Sequence, residues 1–332
     1  MPTALGPFLV LLLVWAGFGL AVAACAGTGD PWTFFSWRNQ TLILAQSAIV
    51  AVGACGMVLV VVAGGIDLAA GSMIALCSVV TALVLAHSGC PPLGGFLFAL
   101  LAVLGVGAAC GALSGALIAG LRLAPFIVTL GMLSMARGAA KGAADNQTVN
   151  FDHPWLADLM TPTAYHAATD PWWQAPLIVA PGVWIAAGLV AVTWFLMERT
   201  VFGRNAAAIG SNPAAARLCG IHVAGHTIAI YAWCGLCLGL AGLLETAKLS
   251  QGDPTTASGR ELDIIAAVVV GGASLSGGRG SVIAAAVGAV LMVVLRSGGQ
   301  LLEWNPWVQE ILIGVVIIVA VAVDRWRRGR SE

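Results

Sequence analysis

Apolar runs separated by short polar breaks account for almost the whole chain. The runs cover 5–24, 42–63, 66–86, 94–121, 123–140, 177–197, 226–245, 261–272, from 281 past Arg296, and 307–323. A helix needs about 20 apolar residues to cross a bilayer, and most runs come near that length. The eighth does not, because Glu261-Leu262-Asp263 opens it and Gly271-Gly272 closes it after roughly 12 apolar residues. The pattern predicts an all-α fold, a polytopic membrane bundle of about ten transmembrane segments forming one domain over 1–332.

The breaks carry the orientation. Glu198 to Gly225 holds Arg199, Arg204 and Arg217 against one acid, Glu198, which marks a cytosolic loop by the positive-inside rule. Within that loop, Asn212 is a candidate N-cap, Pro213 suits the first helical position, and Gly220 can take the left-handed conformation past the end. The helix so predicted, Pro213 to Cys219, is too short to be stable alone and has to pack against something. Its Ala214-Ala215-Ala216 row, with Arg217 beside it, suits close approach by a partner. The longest polar stretch, within 142–176, contains Asp145, Asp152, Asp158 and Asp170, no Lys or Arg, and Trp155, Trp172 and Trp173, which places it on the outer face. With both termini inside, the inner side holds nine basic residues and the outer side six of the 15.

The first run poses a separate question, since Val22-Ala23-Ala24-Cys25 has the look of a processing site. A signal peptide wants a positive start, and Met1 to Pro7 has no Lys or Arg, so the run is expected to stay as the first span. Gly107, Gly111 and Gly115 recur every four residues in the fourth run and predict a close-packing face.

Composition narrows the function classes. The chain is 59% hydrophobic and 9% charged, far too apolar for a soluble globular protein. Its net charge is +0 with only Lys141 and Lys248 as lysines, which gives nucleic acid nothing to bind. Cys234 and Cys237 form the single C-x-x-C, on a span and without a second ligand pair, so packing is expected there rather than metal or redox chemistry. His153 and His166 stand near carboxylates at spacings that match no metal motif. Glu245 and Lys248, three apart on one helical face, predict an ion pair.

Two glycine-broken segments align across the chain. Gly64-Gly65-Ile66-Asp67 through Ser72 to Ala75 matches Gly271-Gly272-Ala273-Ser274 through Gly277 and Ser281 to Ala284, with a two-residue insertion in the second. Asp67 is expected in the first turn of the third helix, where free N–H groups favour a carboxylate. An even number of spans separates the copies, so they read as parallel repeats, and such interrupted segments in corresponding positions point to a solute path in transporters. Irregular backbone at that depth is tolerated only against protein or water.

Four stretches carry a resemblance: A-G-G-I-D-L-A-A-G-S (63–72), A-P-F-I-V-T-L-G-M-L-S-M-A-R-G (124–138), R-T-V-F-G-R-N through R-L-C-G-I (199–221) and E-L-D-I-I-A-A-V-V-V-G-G-A-S-L-S-G-G-R-G-S (261–281). In this order they closely resemble the permease subunit of ribose/xylose/galactose-type ABC importers. The resemblance covers most of the chain from about residue 40 onward. The N-terminus departs from the family in lacking a basic start, and 142–176 departs in being long and rich in Trp and Pro. The likeness implies a multi-pass bacterial inner-membrane permease with both termini cytoplasmic. Its implied partners are cytosolic ATPase subunits, a periplasmic solute-binding protein and a second permease copy, identical or different, and its substrate is a small sugar. Gly64, Gly65, Asp67, Ser72, Gly271, Gly272, Ser274 and Gly277 are then expected to line or hinge the path. Arg199, Gly203, Arg204, Gly210, Asn212, Pro213, Ala216, Arg217 and Gly220 are expected to couple it to the ATPase.

The chain contains no G-x-x-x-x-G-K-[ST], so ATP is expected on the partner, and this subunit is expected to be no enzyme and to hold no cofactor or metal of its own. The competing reading is an ion-coupled secondary transporter relaying protons through Asp67, Glu245 or Asp263. An intramembrane hydrolase using Ser274 lacks the glycine two places on and a histidine within a span.

Overall fold

A computed structural model describes residues 5–25, 31–87, 92–161 and 179–328. The described chain is almost entirely helical: α1 (Leu5–Cys25), α2 (Trp37–Val62), α3 (Ala70–His87), α4 (Pro92–Leu121), α5 (Pro125–Ala143), α6 (Pro181–Arg199), α7 (Val201–Ser211), α8 (Pro213–Leu218), α9 (Val223–Leu249), α10 (Arg260–Val270), α11 (Val282–Leu301) and α12 (Pro306–Arg328). Seven of these, α1, α2, α3, α4, α6, α9 and α11, are long and apolar enough to cross a membrane. Of the other expected spans, α12 has a shorter apolar part, α5 carries Arg137 and Lys141, and α10 has 11 residues.

The core is built around α2. Apolar on every side, it is buried along nearly its whole length by α9, α11, α6 and α10, which is where an all-round apolar helix has to go. The glycine face of α4 packs on α9 as its spacing predicts, and α9 answers with glycines of its own. A Cβ at Gly107 would run into the Gly235 carbonyl, and one at Gly235 into the Gly107 carbonyl. Backbones this close replace the hydrophobic drive that lipid does not supply between helices.

The polar break before α9 departs from expectation. Most of it is helical: α7 precedes α8 and buries Gly203, Ala206 and Ile209 on one face. That spacing of three residues is a short amphipathic helix, and the alanine and glycine content of 203–210 masked it.

The eighth segment is half a span. The 11 residues of α10 rise about 16 Å, roughly half the hydrocarbon thickness. The chain reaches α10 through turns over 253–259, after a two-stranded ladder of β1 (Val149–Asn150) and β2 (Gln251–Gly252). Arg137 of α5 donates from Nη1 to the Pro254 and Thr256 carbonyls at 2.9 and 2.8 Å, satisfying backbone that no helix serves. A Cβ on Gly71, at the start of α3, would lie 2.5 Å from the Ala257 carbonyl and against the Glu261 carboxylate. The first turns of α3 and α10 therefore meet inside the bundle.

Of 142–176, residues 162–176, with His166, Asp170, Trp172 and Trp173, lie outside the described residues. The described part folds back as a 3-10 helix, Pro154–Leu159, with Leu156 buried and Trp155 edge-on to Phe96 at 6.0 Å. His153 is not a free side chain, since its Nε2 is 3.3 Å from the Leu85 carbonyl.

Candidate functional site

The two glycine turns share one backbone motif. After α2, the Gly64 N–H bonds the Val61 carbonyl at 2.9 Å and the Gly65 N–H the Val60 carbonyl at 2.9 Å. After α10, the Gly272 N–H bonds the Val269 carbonyl at 2.8 Å and the Ala273 N–H the Val268 carbonyl at 3.1 Å. Each is a helix end closed by a left-handed glycine, Gly64 at φ 82° and Gly272 at φ 86°. Gly64 thus matches Gly272 rather than Gly271, one place off the sequence alignment. Gly271 is helical at φ −63°, and it is glycine because the Ala284 carbonyl of α11 lies against it. Ala69 accepts the first bond of α3 and Ser281 that of α11. The connection therefore runs five residues from Gly64 to Ala69 and nine from Gly272 to Ser281, four more instead of the two that alignment suggests.

The added length reaches across to α2. The Gly278 N–H bonds the Val62 carbonyl at 2.8 Å, so the second turn caps the helix that precedes the first. Gly210, in the last turn of α7, fills the angle between them. A Cβ there would strike the Val62 carbonyl and lie 2.7 Å from the Gly278 nitrogen, while one on Gly277 would lie 2.6 Å from the Gly210 carbonyl. Two groups of residues that the sequence assigns separately, glycine turns and polar-break helices, meet at this point. Val62 completes it, and no sequence signal distinguishes Val62 from its apolar neighbours.

The break helices are anchored elsewhere as well. The Asn205 amide meets His226 Nε2 of α9 at 2.8 Å, with Phe202 stacked on the same imidazole at 6.3 Å. In α8 the expected caps are present. The Asn212 carboxamide oxygen accepts from the Ala214 and Ala215 N–H groups at 3.0 Å each, Pro213 is the first helical residue, and Gly220 has φ 83°. Gly220 and Ile221 donate back to the Arg217 and Ala216 carbonyls. Ala216 is buried against the protein, whereas Ala214, Ala215, Arg217 and Leu218 are exposed, so one of the three alanines faces inward. Arg199 lies over the Trp194 ring at 5.7 Å, Arg204 is exposed, and Gly203 closes the α6–α7 corner against Met197.

Behind the first turn lies a buried polar group. Asp67 is not in α3; it precedes it, with Oδ1 accepting the Ala69 N–H at 2.9 Å and Oδ2 3.9 Å from the Cys234 thiol of α9. The carboxylate is 3% exposed and has no ion pair among the described residues. Tyr231, whose hydroxyl has no hydrogen-bond partner among the described residues, fills the space beside Gly65, and Thr129 of α5 donates to the Ile66 carbonyl at 3.3 Å. Ser72 donates to the Ala69 carbonyl at 2.9 Å, and the Ser274 hydroxyl is buried without a hydrogen-bond partner among the described residues. Two other buried acids are matched by bases: Glu245 by Lys248 at 3.9 Å, and Asp263 by Arg296 of α11 at 2.9 Å, a pair 33 residues apart that spacing cannot disclose.

The family model described as branched-chain amino acid transport system / permease component matches residues 39–321. The ribose import permease protein of Escherichia coli K12 is 38% identical over 307 residues, covering 92% of this chain and 91% of its own. The fructose import permease protein of Rhizobium meliloti is 34% identical over 323 residues, 97% and 85% of the two chains. The D-allose transport system permease protein of E. coli K12 is 32% identical over 321 residues, 96% and 91%. No solved structure matches the chain significantly.

Proposed function

The chain belongs to the family of branched-chain amino acid transport system permease components, and from that premise we propose that it passes a small sugar through a bacterial inner membrane as the permease subunit of an ABC importer. The relatives named for ribose, fructose and allose import support the solute class. The observation that carries the mechanism is the contact of Gly210 with both glycine turns, because a push on α7–α8 moves the ends of α2 and α10 directly. The chain has no phosphate-binding loop, so the push comes from a partner ATPase on the cytosolic side, where Arg199, Arg204 and Arg217 lie. α5, α10 and α12 complete a ten-segment bundle with both termini in the cytoplasm.

Thr255 and Ser258, beside the irregular backbone over 253–259, are exposed. Lipid cannot serve such backbone. A second permease copy and a polar path cover that stretch, and a periplasmic binding protein delivers the sugar from outside.

The α8 surface left open, Ala214, Ala215, Arg217 and Leu218, is the ATPase contact. Burying so small a face contributes roughly a few kcal/mol, so one charge reversal matters. Arg217→Glu should abolish ATP-driven uptake and weaken co-purification of the ATPase, with insertion unchanged. Parental uptake and parental ATPase binding in that variant would remove α8 from the coupling path.

A further inference from the structure

A cavity of about 340 Å3 opens beside the connection between α11 and α12. α11 leaves the Gly210 junction at its N-cap Ser281 and runs 20 residues, about 30 Å, so the cavity lies at the opposite end of the bundle. In the orientation proposed above, that is the outer face.

Its lining is polar around one indole. Gln300, Glu303, Gln309 and Glu310 contribute amides and carboxylates, Trp304 an aromatic ring, and Arg296 a guanidinium. Several of these groups are held in place. Trp304 meets Phe18 edge-on at 5.8 Å, and Gln309, only 7% exposed, donates from Nε2 to the Trp304 carbonyl at 3.1 Å, leaving its oxygen as an acceptor. Arg296 spends its Nη2 on Asp263, while its Nε is buried with no hydrogen-bond partner among the described residues.

The charges select against anions. Asp263 neutralises Arg296, and Glu303 and Glu310 then leave the cavity negative. Carboxylates and amide oxygens accept, amide N–H groups donate, and the indole offers an apolar face. A hydroxyl both donates and accepts, so adjacent hydroxyls on a small ring fit this alternation, with the ring's C–H side on Trp304. The volume lies at the small end of the range for ligand sites, enough for one sugar ring.

We propose that this cavity is a receiving site at the outer mouth for one uncharged polyhydroxylated solute, a monosaccharide. The choice of solute and of face rests on the import reading. Through Arg296–Asp263 the site is rooted in the first turn of α10, beside the Glu261 that meets the start of α3, so a molecule leaving it next meets the half-span.

The full chain in lipid nanodiscs, without ATPase or binding protein, is titrated with D-ribose, D-fructose and D-galactose by saturation-transfer NMR, with ribose 5-phosphate as an anionic control. At least one sugar should receive saturation at its C–H protons and the phosphate should not. Gln300 and Glu310 are exposed, so a Gln300→Ala/Glu310→Ala variant should fold as the parent does. It should bind the sugar about tenfold more weakly or worse. Equal transfer in parent and variant, or none from any of the three sugars, overturns the site. ATP-driven uptake with the native partners separates the two claims. Uptake without binding at this cavity leaves the import reading standing and removes the site, and binding without uptake of any sugar does the reverse.

Discussion

At Gly210 the absence of a side chain has a mechanical consequence. A methyl group there would collide with the Val62 carbonyl and crowd the Gly278 nitrogen, neither of which can swing aside as a side chain could. Gly210→Ala should therefore separate α7 from the turns and break the Gly278 to Val62 hydrogen bond, costing about 1–3 kcal/mol. Uptake should fall more steeply than thermal stability, because the lost contact is the one proposed to link α7–α8 to the turns. Gly220→Ala is the control. Its φ of 83° makes alanine cost about 1–2 kcal/mol, yet nothing stands within 4 Å of the added carbon. Uptake and Tm measured on both variants test this; equal losses of uptake would mean that the Gly210 junction transmits nothing that the α8 cap does not.

Among the elements, what the sequence disclosed depended on whether a signal was local. The caps of α8 involve residues within a few positions of one another, and Asn212, Pro213 and Gly220 could be read directly. The glycine turns were visible as glycines, but their register was not. Gly64 and Gly271 occupy matched sequence places, and only the bonds to Val60, Val61, Val268 and Val269 reveal that Gly271 is helical and packs on Ala284. The eighth segment's shortness was legible in its apolar count, whereas the Arg137 contacts that make the short helix tolerable span 117 and 119 residues. The Asp263–Arg296 pair joining α10 to α11 was invisible for the same reason, and its energetics can be tested. Arg296→Met alone strands a 1% exposed carboxylate, which should cost about 3–5 kcal/mol. Asp263→Leu/Arg296→Met should recover most of that. The recovery stays incomplete by about 0.3–1 kcal/mol, since Asp263 also faces the free N–H groups of the first turn of α10. Tm values for the single and double variants decide it; a double variant no more stable than Arg296→Met would mean that the pair sets the α10–α11 geometry and does not simply neutralise charge.

For the whole molecule, the two ends of the bundle are built for different neighbours. One end is closed by backbone-to-backbone contacts among α2, α7 and the 272–280 turn, with arginines around it. The other carries the 3-10 helix, the β ladder and the polar cavity between α11 and α12. α9 connects the two ends, and its 27 residues, about 40 Å long, exceed the bilayer core. Asp158 and Arg217, both exposed, report on opposite ends. In the orientation proposed above, the arginine-rich 198–225 faces the cytosol and 142–176 faces out. In a cysteine-free background, Asp158→Cys should react with an impermeant maleimide in intact cells, and Arg217→Cys only after permeabilisation. Reaction of Arg217→Cys with Asp158→Cys protected would invert the molecule. It would put the α7–α8 surface outside, beyond reach of a cytosolic ATPase, and the sugar-sized cavity on the inner face, where an importer releases its solute rather than receives it.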